Sequence, residues 1–254
     1  MNTAPGVGFL VAGVQKGGTT ALFDHLVEHP ALYLPACKEA HFFDDETGVD
    51  WSAPDYAPYH ALFQGAAPGA LWGEATPVYI YWPRSLERIA AYDPAMRFIL
   101  LFRDPAERAW SHWRMERSRG VEPLSFSDAI RQGRRRVQTG DPAAPGHHRV
   151  HSYVERGFYG AQLQRLLARF PRQQVLCLRS ADLADRAEEI LIRVCDFLHI
   201  PPFAGIHSRR SHVGVIVDGQ PTMSDDDRTY LKSIYEKDAE LFETLSHLTL
   251  TETV

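Results

Sequence analysis

Apolar residues along this chain follow two rhythms. Near-continuous runs of strand length occur at Gly8–Gly13 (GFLVAG) and Arg97–Phe102 (RFILLF), with shorter ones at Leu71–Glu74 and Gln174–Leu178. A run without polar alternation is expected of a strand buried on both faces, as in a parallel sheet. Between these runs the spacing becomes helical. Leu22 and Leu26 mark a helix over Thr19–His29 that Pro30 stops, and Pro105 suits the first turn of a helix over Ala106–Arg119. Leu163, Leu166, Leu167 and Phe170 give residues 153–170 an amphipathic helix, and Ile190, Leu191, Val194 and Phe197 do the same for Arg186–Leu198. A last helix, with Leu231, Ile234, Leu241 and Leu245 inward, begins after Ser224, an N-cap with Asp227 three residues on. The repeated order of strand, turn and helix predicts an α/β fold: one domain over 1–254, built on an open parallel sheet with helices on both faces. Ligands then bind beyond the carboxyl ends of the strands.

Other stretches have weaker patterns. Residues 51–64 mix aromatics with Pro54 and Pro58 and read as an irregular helical segment, and Thr76-Pro77 opens an aromatic patch with Tyr79, Tyr81 and Trp82. These aromatics, with Trp72, Trp110 and Trp113, read as core first and as an acceptor-pocket floor second. Ser125–Val137 reads as one helix carrying Arg131, Arg134, Arg135 and Arg136, a solvated face or an attractant for an anionic acceptor. Residues 139–151 have the Gly, Pro and His content of an exposed loop, and 199–222 form a long loop holding Arg209 and Arg210.

Bulk properties narrow the function. The 254 residues are 44% apolar and 23% charged, ordinary for a globular enzyme, and the net charge of −5 speaks against a general nucleic-acid binder. No apolar run approaches the ~20 residues needed for a membrane-spanning helix, and the amino terminus lacks a signal-peptide pattern. Three cysteines, Cys37, Cys177 and Cys195, cannot all pair, and two sit in apolar contexts. The expectation is a cytoplasmic protein. Oligomeric state is not legible.

The chemistry concentrates where strands end. Gly13–Thr20 (GVQKGGTT) follows the first strand and opens the first helix. Adjacent glycines Gly17 and Gly18 let successive backbone N–H groups face an anion, Thr19 and Thr20 begin a helix whose dipole favours negative charge, and Lys16 adds a full charge. Unlike the triphosphatase P-loop, where lysine follows the last glycine, the lysine here precedes the pair. A second strand ends in Arg103-Asp104-Pro105, where Arg103 can grip a phosphate or pair with Asp104 or Glu107. Between them, Lys38, Glu39, His41 and Asp44 crowd around Phe42 and Phe43, as in a cleft wall.

Three of these stretches together resemble the sulfotransferases that use 3′-phosphoadenosine 5′-phosphosulfate, in particular the heparan sulfate and bacterial branch. GVQKGGTTAL is similar to that family's phosphosulfate loop, KEAHFFD at Lys38–Asp44 to its E-x-H-F-F-D segment, and LFRDPAERAWSHW at Leu101–Trp113 to its 3′-phosphate motif, with Ser111 eight residues after Arg103. GFYGAQL at Gly157–Leu163 adds a weaker match. The resemblance implies the adenosine phosphosulfate as donor, no metal, and a small-molecule or glycan acceptor. It implies Lys16, Gly17, Gly18, Thr19 and Thr20 at the phosphosulfate and Arg103 and Ser111 at the 3′-phosphate. Lys16 also stabilises the departing phosphate, and Glu39 is the general base, with His41 its partner or competitor.

Elementary chemistry fits that assignment. A donor with phosphate on both sides of a ribose needs two anion sites, and the chain offers two strand-to-helix turns with basic residues. A carboxylate against aromatic surface is expected to have its pKa raised toward the working range, and residues two apart on an extended segment point the same way, so Glu39 and His41 should meet. The resemblance departs at Ala75, where the family carries a lysine that Lys38 could replace. It departs again where the family's later basic loop is absent, leaving Arg209 and Arg210 as candidate 3′-phosphate contacts. Two rival readings are a P-loop nucleotide kinase or triphosphatase, with Asp104 on the magnesium side, and a nucleotide-binding protein without catalysis. The lysine order opposes the first, and the Glu39–His41 pair the second.

Overall fold

The computed structural model describes residues 6–139, 146–203 and 222–250. In chain order, β1 (Val7–Gly13) leads into α1 (Thr19–Leu26), and a two-residue β2 (Leu32–Tyr33) precedes α2 (Ala57–Ala61). Next come β3 (Leu71–Glu74), α3 (Ser85–Tyr92), β4 (Arg97–Phe102) and α4 (Pro105–Ser118). Short helices α5 (Phe126–Ile130), α6 (Arg135–Gln138) and α7 (Gly146–Val150) lead to α8 (Tyr159–Leu167) and β5 (Val175–Arg179). The chain closes with α9 (Ser180–Asp185), α10 (Ala187–Leu198) and α11 (Asp225–Ser246).

The strands form one sheet in the order β2-β3-β1-β4-β5, every neighbouring pair parallel. Because side chains alternate along a strand, consecutive residues of the apolar runs feed opposite faces. On one side, Leu10, Ala12, Phe98, Leu100 and Phe102 pack with Leu86 and Ile89 of α3, Leu163 and Leu166 of α8 and Phe242 of α11. On the other, Phe9, Val11, Ile99 and Leu101 pack with Leu22 and Leu26 of α1 and with Ile190, Leu191 and Val194 of α10. Continuous hydrophobicity in β1 and β4 is thus the consequence of two helical layers. A third cluster, including Trp113 of α4, Phe126 and Ile130 of α5 and Leu231 and Tyr235 of α11, braces α4 from outside. Cys177 and Cys195 are buried and Cys37 is exposed, all three as free thiols.

Several elements differ from the sequence reading. The Ser125–Val137 helix is broken at Arg131 (φ −103°, ψ −89°), and a 3-10 turn separates α5 from α6. Its arginines face carboxylates from other elements: Arg131 pairs with Asp226 and Asp227, Arg134 with Glu155 (2.9 Å) and Arg136 with Glu122 (2.8 Å). These three are paired, whereas Arg135 is exposed, so the solvated-face reading holds for it alone. Residues 139–151, expected as loop, contain α7, and α3 and α9 arise where no helix is predicted. The helix of 153–170 begins only at Tyr159, after a 3-10 turn at Glu155–Gly157. Of the aromatic patch, Tyr79 and Trp82 are core, while Trp110 lines the cleft described next.

Candidate active site

Turns leaving the carboxyl ends of β1, β3, β4 and β5 enclose a cleft of about 1820 Å³. A single small ligand occupies roughly 300–1,000 Å³, so the cleft has room for two substrates side by side. Lys16, Gly18, Thr19, Thr20, Glu39, His41, Arg103 and Ser111 all line it. Gly17 lies behind this wall: a Cβ there would come within 2.4 Å of the Leu101 carbonyl oxygen, so only glycine lets the turn pack onto β4. Gly18 is left-handed (φ 88°) and caps α1 without any side-chain hydrogen bond, which leaves the first amides of α1 open. Arg209 and Arg210 lie outside the described residues.

The β4–α4 turn is built differently. Asp104 accepts a hydrogen bond from the Glu107 amide (2.8 Å), so this helix start is closed by its own carboxylate. Anion binding here falls to side chains. Arg103 is 41% exposed to the cleft and shares Glu107 (3.4 Å) with Arg228, while Ser111 stands on the next turns of α4. The ion pair with Glu107 anticipated from the sequence is therefore present, long and open enough to yield to a phosphate. The hydroxyl of Tyr159, in α8, donates to the Arg103 carbonyl oxygen (3.1 Å) and fixes the turn's backbone. That residue falls in GFYGAQL, a signal available in the sequence but not tied there to Arg103.

Lys16, Glu39 and His41 share an unusual backbone state, with φ of 68°, 67° and 53°. The left-handed region costs a residue with a Cβ of order 1–3 kcal/mol, and surrounding contacts must hold it there. For the second segment those contacts are amide tethers. Glu39 N–H donates to the Ala75 carbonyl (3.2 Å), His41 N–H to Thr76 Oγ1 (3.4 Å) and Phe42 N–H to the Tyr79 hydroxyl (3.1 Å). The segment is not extended, as the sequence reading had it. Its two side chains meet even so, with Glu39 Oε2 and His41 Nε2 3.3 Å apart.

A charge relay of static pairs surrounds this contact. Lys38 Nζ lies 3.2 Å from Glu39 Oε1, and His41 Nδ1 lies 2.9 Å from Asp44 Oδ2, a fully buried carboxylate that also receives Arg149 of α7. Burial alone would raise the Glu39 pKa, but the hydrogen bond to His41 and the charge of Lys38 outweigh it and bring it to about 2. This corrects the expectation of a raised value: cationic partners decide the protonation, not the aromatic surface. The hydrogen bonds to Asp44 and Glu39 push His41 up to about 9. At neutral pH Glu39 is a carboxylate and His41 an imidazolium. Of the two, only Glu39 is then in a proton-accepting form; a carboxylate held at about 2 is a weak base, far below the near-neutral pKa that suits general-base catalysis.

Lys16 completes the cleft. Its Nζ approaches the Met115 sulfur (3.8 Å), and burial, together with Arg119, Arg103 and Arg108, lowers its pKa. The lysine is surrounded by positive charge, an arrangement that favours an arriving anion. Ala75 is buried in the face against α1 and α10, so no charge can come from there, whereas Lys38 lines the cleft. An uncapped helix start beside Lys16 and an open arginine at the second turn fit a ligand with phosphates at two ends.

Fold and cleft together define an α/β domain with two basic strand-to-helix turns bordering one cleft at its strand ends. The sulfotransferase domain family matches residues 8–211, and the chain belongs to that family. Among solved structures, a sulfotransferase from Alicyclobacillus acidocaldarius aligns over 96% of both chains with a TM-score of 0.76 and 26% identity. The bifunctional heparan sulfate N-deacetylase/N-sulfotransferase 3 of Homo sapiens is 28% identical over 259 residues, covering 89% of this chain and 28% of that protein. The heparan sulfate glucosamine 3-O-sulfotransferase 6 of Homo sapiens is 31% identical over 192 residues, 74% of this chain and 51% of its own length. The chain thus spans about half or less of these two relatives.

Proposed function

We propose that the protein is a sulfotransferase taking 3′-phosphoadenosine 5′-phosphosulfate as donor and a hydroxyl, or as the alternative an amine, as acceptor. One observation carries the reading: Glu39 and His41 line the same cleft as Lys16, Arg103 and Ser111. When bound, the donor supplies a sulfuryl group, whose move to the acceptor oxygen breaks the S–O bond to phosphate, the phosphate keeping the electron pair. The open amides of α1 hold the phosphosulfate end and Arg103 with Ser111 holds the 3′-phosphate. Lys16 balances the charge left on the departing phosphate. Glu39 receives the acceptor proton, and His41, kept an imidazolium by Asp44, orients Glu39 through their contact. Positioning and electrostatics then supply most of the rate. Asp104, the magnesium ligand of the rival kinase reading, has one oxygen committed to capping α4.

The names of the heparan sulfate relatives support a glycan hydroxyl as one acceptor class, beside small-molecule alcohols. Sulfation of cell extracts with labelled donor, read by product mass, separates the two. The donor is tested by thermal unfolding: 3′-phosphoadenosine 5′-phosphate should raise Tm without magnesium, since a ligand that binds only the native state stabilises by mass action. Equal or stronger protection by magnesium-ATP would overturn the sulfotransferase reading.

A further inference from the structure

Among the described residues, Arg156 is the one cleft-lining arginine that is nearly inaccessible, at 4% exposure. Its hydrogen bonds all run to neutral acceptors. Nε donates to Ser152 Oγ (2.7 Å), Nη1 to Gln15 Oε1 (2.5 Å) and Nη2 to the carbonyls of His148 (3.1 Å) and Arg149 (3.0 Å), with the Tyr81 ring 5.1 Å away. None of its ion-pair-range neighbours is a carboxylate among the described residues. Burial is the main influence on it and, with the positive charges of Arg108 and Arg149, outweighs the opposing influence of Tyr81 and Asp44, so its pKa falls to about 10. Arg108 is as buried but does not reach the cleft.

The carboxylate that acts on Arg156, Asp44, is already paired with Arg149; a buried cation with so little counter-charge is costly, and a site that keeps one gains most when an anion arrives. Position says which anion. Gln15 belongs to the donor loop and directly precedes Lys16. Arg149, on the other side, holds Asp44, and Asp44 holds His41. Arg156 therefore ties the donor loop, through Gln15, to the backbone of Arg149, whose side chain holds Asp44 behind His41, and it lines the cleft that these elements share.

Resting on the sulfotransferase reading above, we infer that Arg156 binds the sulfuryl group itself, supplying from the segment before α8 a charge that Ala75 cannot. Its guanidinium then exchanges Gln15 for sulfonate oxygens, and the enzyme distinguishes the loaded donor from the spent nucleotide. The two ligands differ only by that group, so paired affinities isolate it.

Calorimetry with 3′-phosphoadenosine 5′-phosphosulfate and with 3′-phosphoadenosine 5′-phosphate, without acceptor, tests the assignment. In Arg156→Gln the Kd for the phosphosulfate should rise tenfold or more, while that for the bisphosphate changes less than threefold. Arg156→Lys, which keeps the charge, should recover most of the loss. Equal weakening toward both ligands would make Arg156 a strut for the donor loop and overturn the inference, as would no change toward either. Should Arg156→Gln fail to fold, Gln15→Ala decides. It leaves the guanidinium in place and should keep the preference for the phosphosulfate, and loss of that preference would assign the recognition to Gln15 instead. Wild-type protein that binds neither ligand would refute the sulfotransferase reading, a result distinct from all of these.

Discussion

The turns β1–α1 and β4–α4 have the same plan, a buried parallel strand running into a helix start with a basic residue beside it, yet they hold anions in different ways. At the first, Gly18 leaves the helix uncapped and the backbone is available as the ligand. At the second, Asp104 closes the helix start, and Arg103 and Ser111 must do the binding. Backbone amides fixed by packing make a cradle whose shape is set by how the turn packs on β4, not by a ligating side chain. A long arginine that exchanges Glu107 for phosphate is adjustable and screened by solvent. Under the proposed function, the reacting end of the donor would sit on the first turn and the 3′-phosphate on the second.

Experiments can break this contrast. The largest effect belongs to the group between the turns: Glu39→Gln should lower turnover by about 10²–10⁴-fold with nucleotide affinity unchanged, and undiminished turnover would move the base elsewhere. Next, Gly17→Ala forces a Cβ against the Leu101 carbonyl; overpacking of about 1–3 kcal/mol should reduce both Tm and affinity for 3′-phosphoadenosine 5′-phosphate. An unaltered Tm would show that the first turn is not rigid. Arg103→Ala should weaken the same ligand by about 10–100-fold, the loss of a charged hydrogen bond worth about 1.5–3 kcal/mol, without changing Tm. An unchanged Kd would remove Arg103 from the site. Asp104→Ala should cost about 1 kcal/mol of stability, as a lost cap does, and leave affinity within a few-fold. A large loss of affinity would return Asp104 to the ligand side.

Protonation gives the subtlest test. His41 is raised from 6.5 to about 9, so its contribution to stability is fully present below about pH 6.5 and is lost as pH rises through about 9. Glu39 is lowered from 4.5 to about 2, so its contribution is present above about pH 4.5 and lost as pH falls through about 2. Asp44→Asn removes the leading cause at His41 and should bring its titration, followed by NMR, down by about 1–3 pH units. A titration still near 9 would assign the shift to Glu39 alone.

Much of the fold was legible because its signals are local. Arg97–Phe102 and Leu71–Glu74 end where their apolar runs end, and Ser224 caps α11 as its spacing to Asp227 predicts. β2 has two residues, too few for any period, and was not legible. The single helix read over Ser125–Val137 breaks at Arg131, whose side chain pairs with Asp226 and Asp227 nearly a hundred residues away, a contact no local pattern encodes. In the site, the donor turn and the Glu39–His41 pair could be picked out by motif. Tyr159 behind Arg103, Arg149 on Asp44 and Arg156 on Gln15 could not, since each acts across more than fifty residues of chain.

The sequence by itself determined where strands stop, which turns need glycine and which residues carry charge, because turn conformation and burial pattern are set by near neighbours. Tertiary structure alone decided what those charges do. Coulomb interactions depend on distance and on water exclusion, and both follow from packing. Aromatic neighbours predict a Glu39 easily protonated; Lys38 and a His41 held by Asp44 and Arg149 make it a fixed carboxylate instead. The same packing turns Arg156, one arginine among many in the sequence, into a buried cation lining the cleft and hydrogen-bonded only to neutral acceptors.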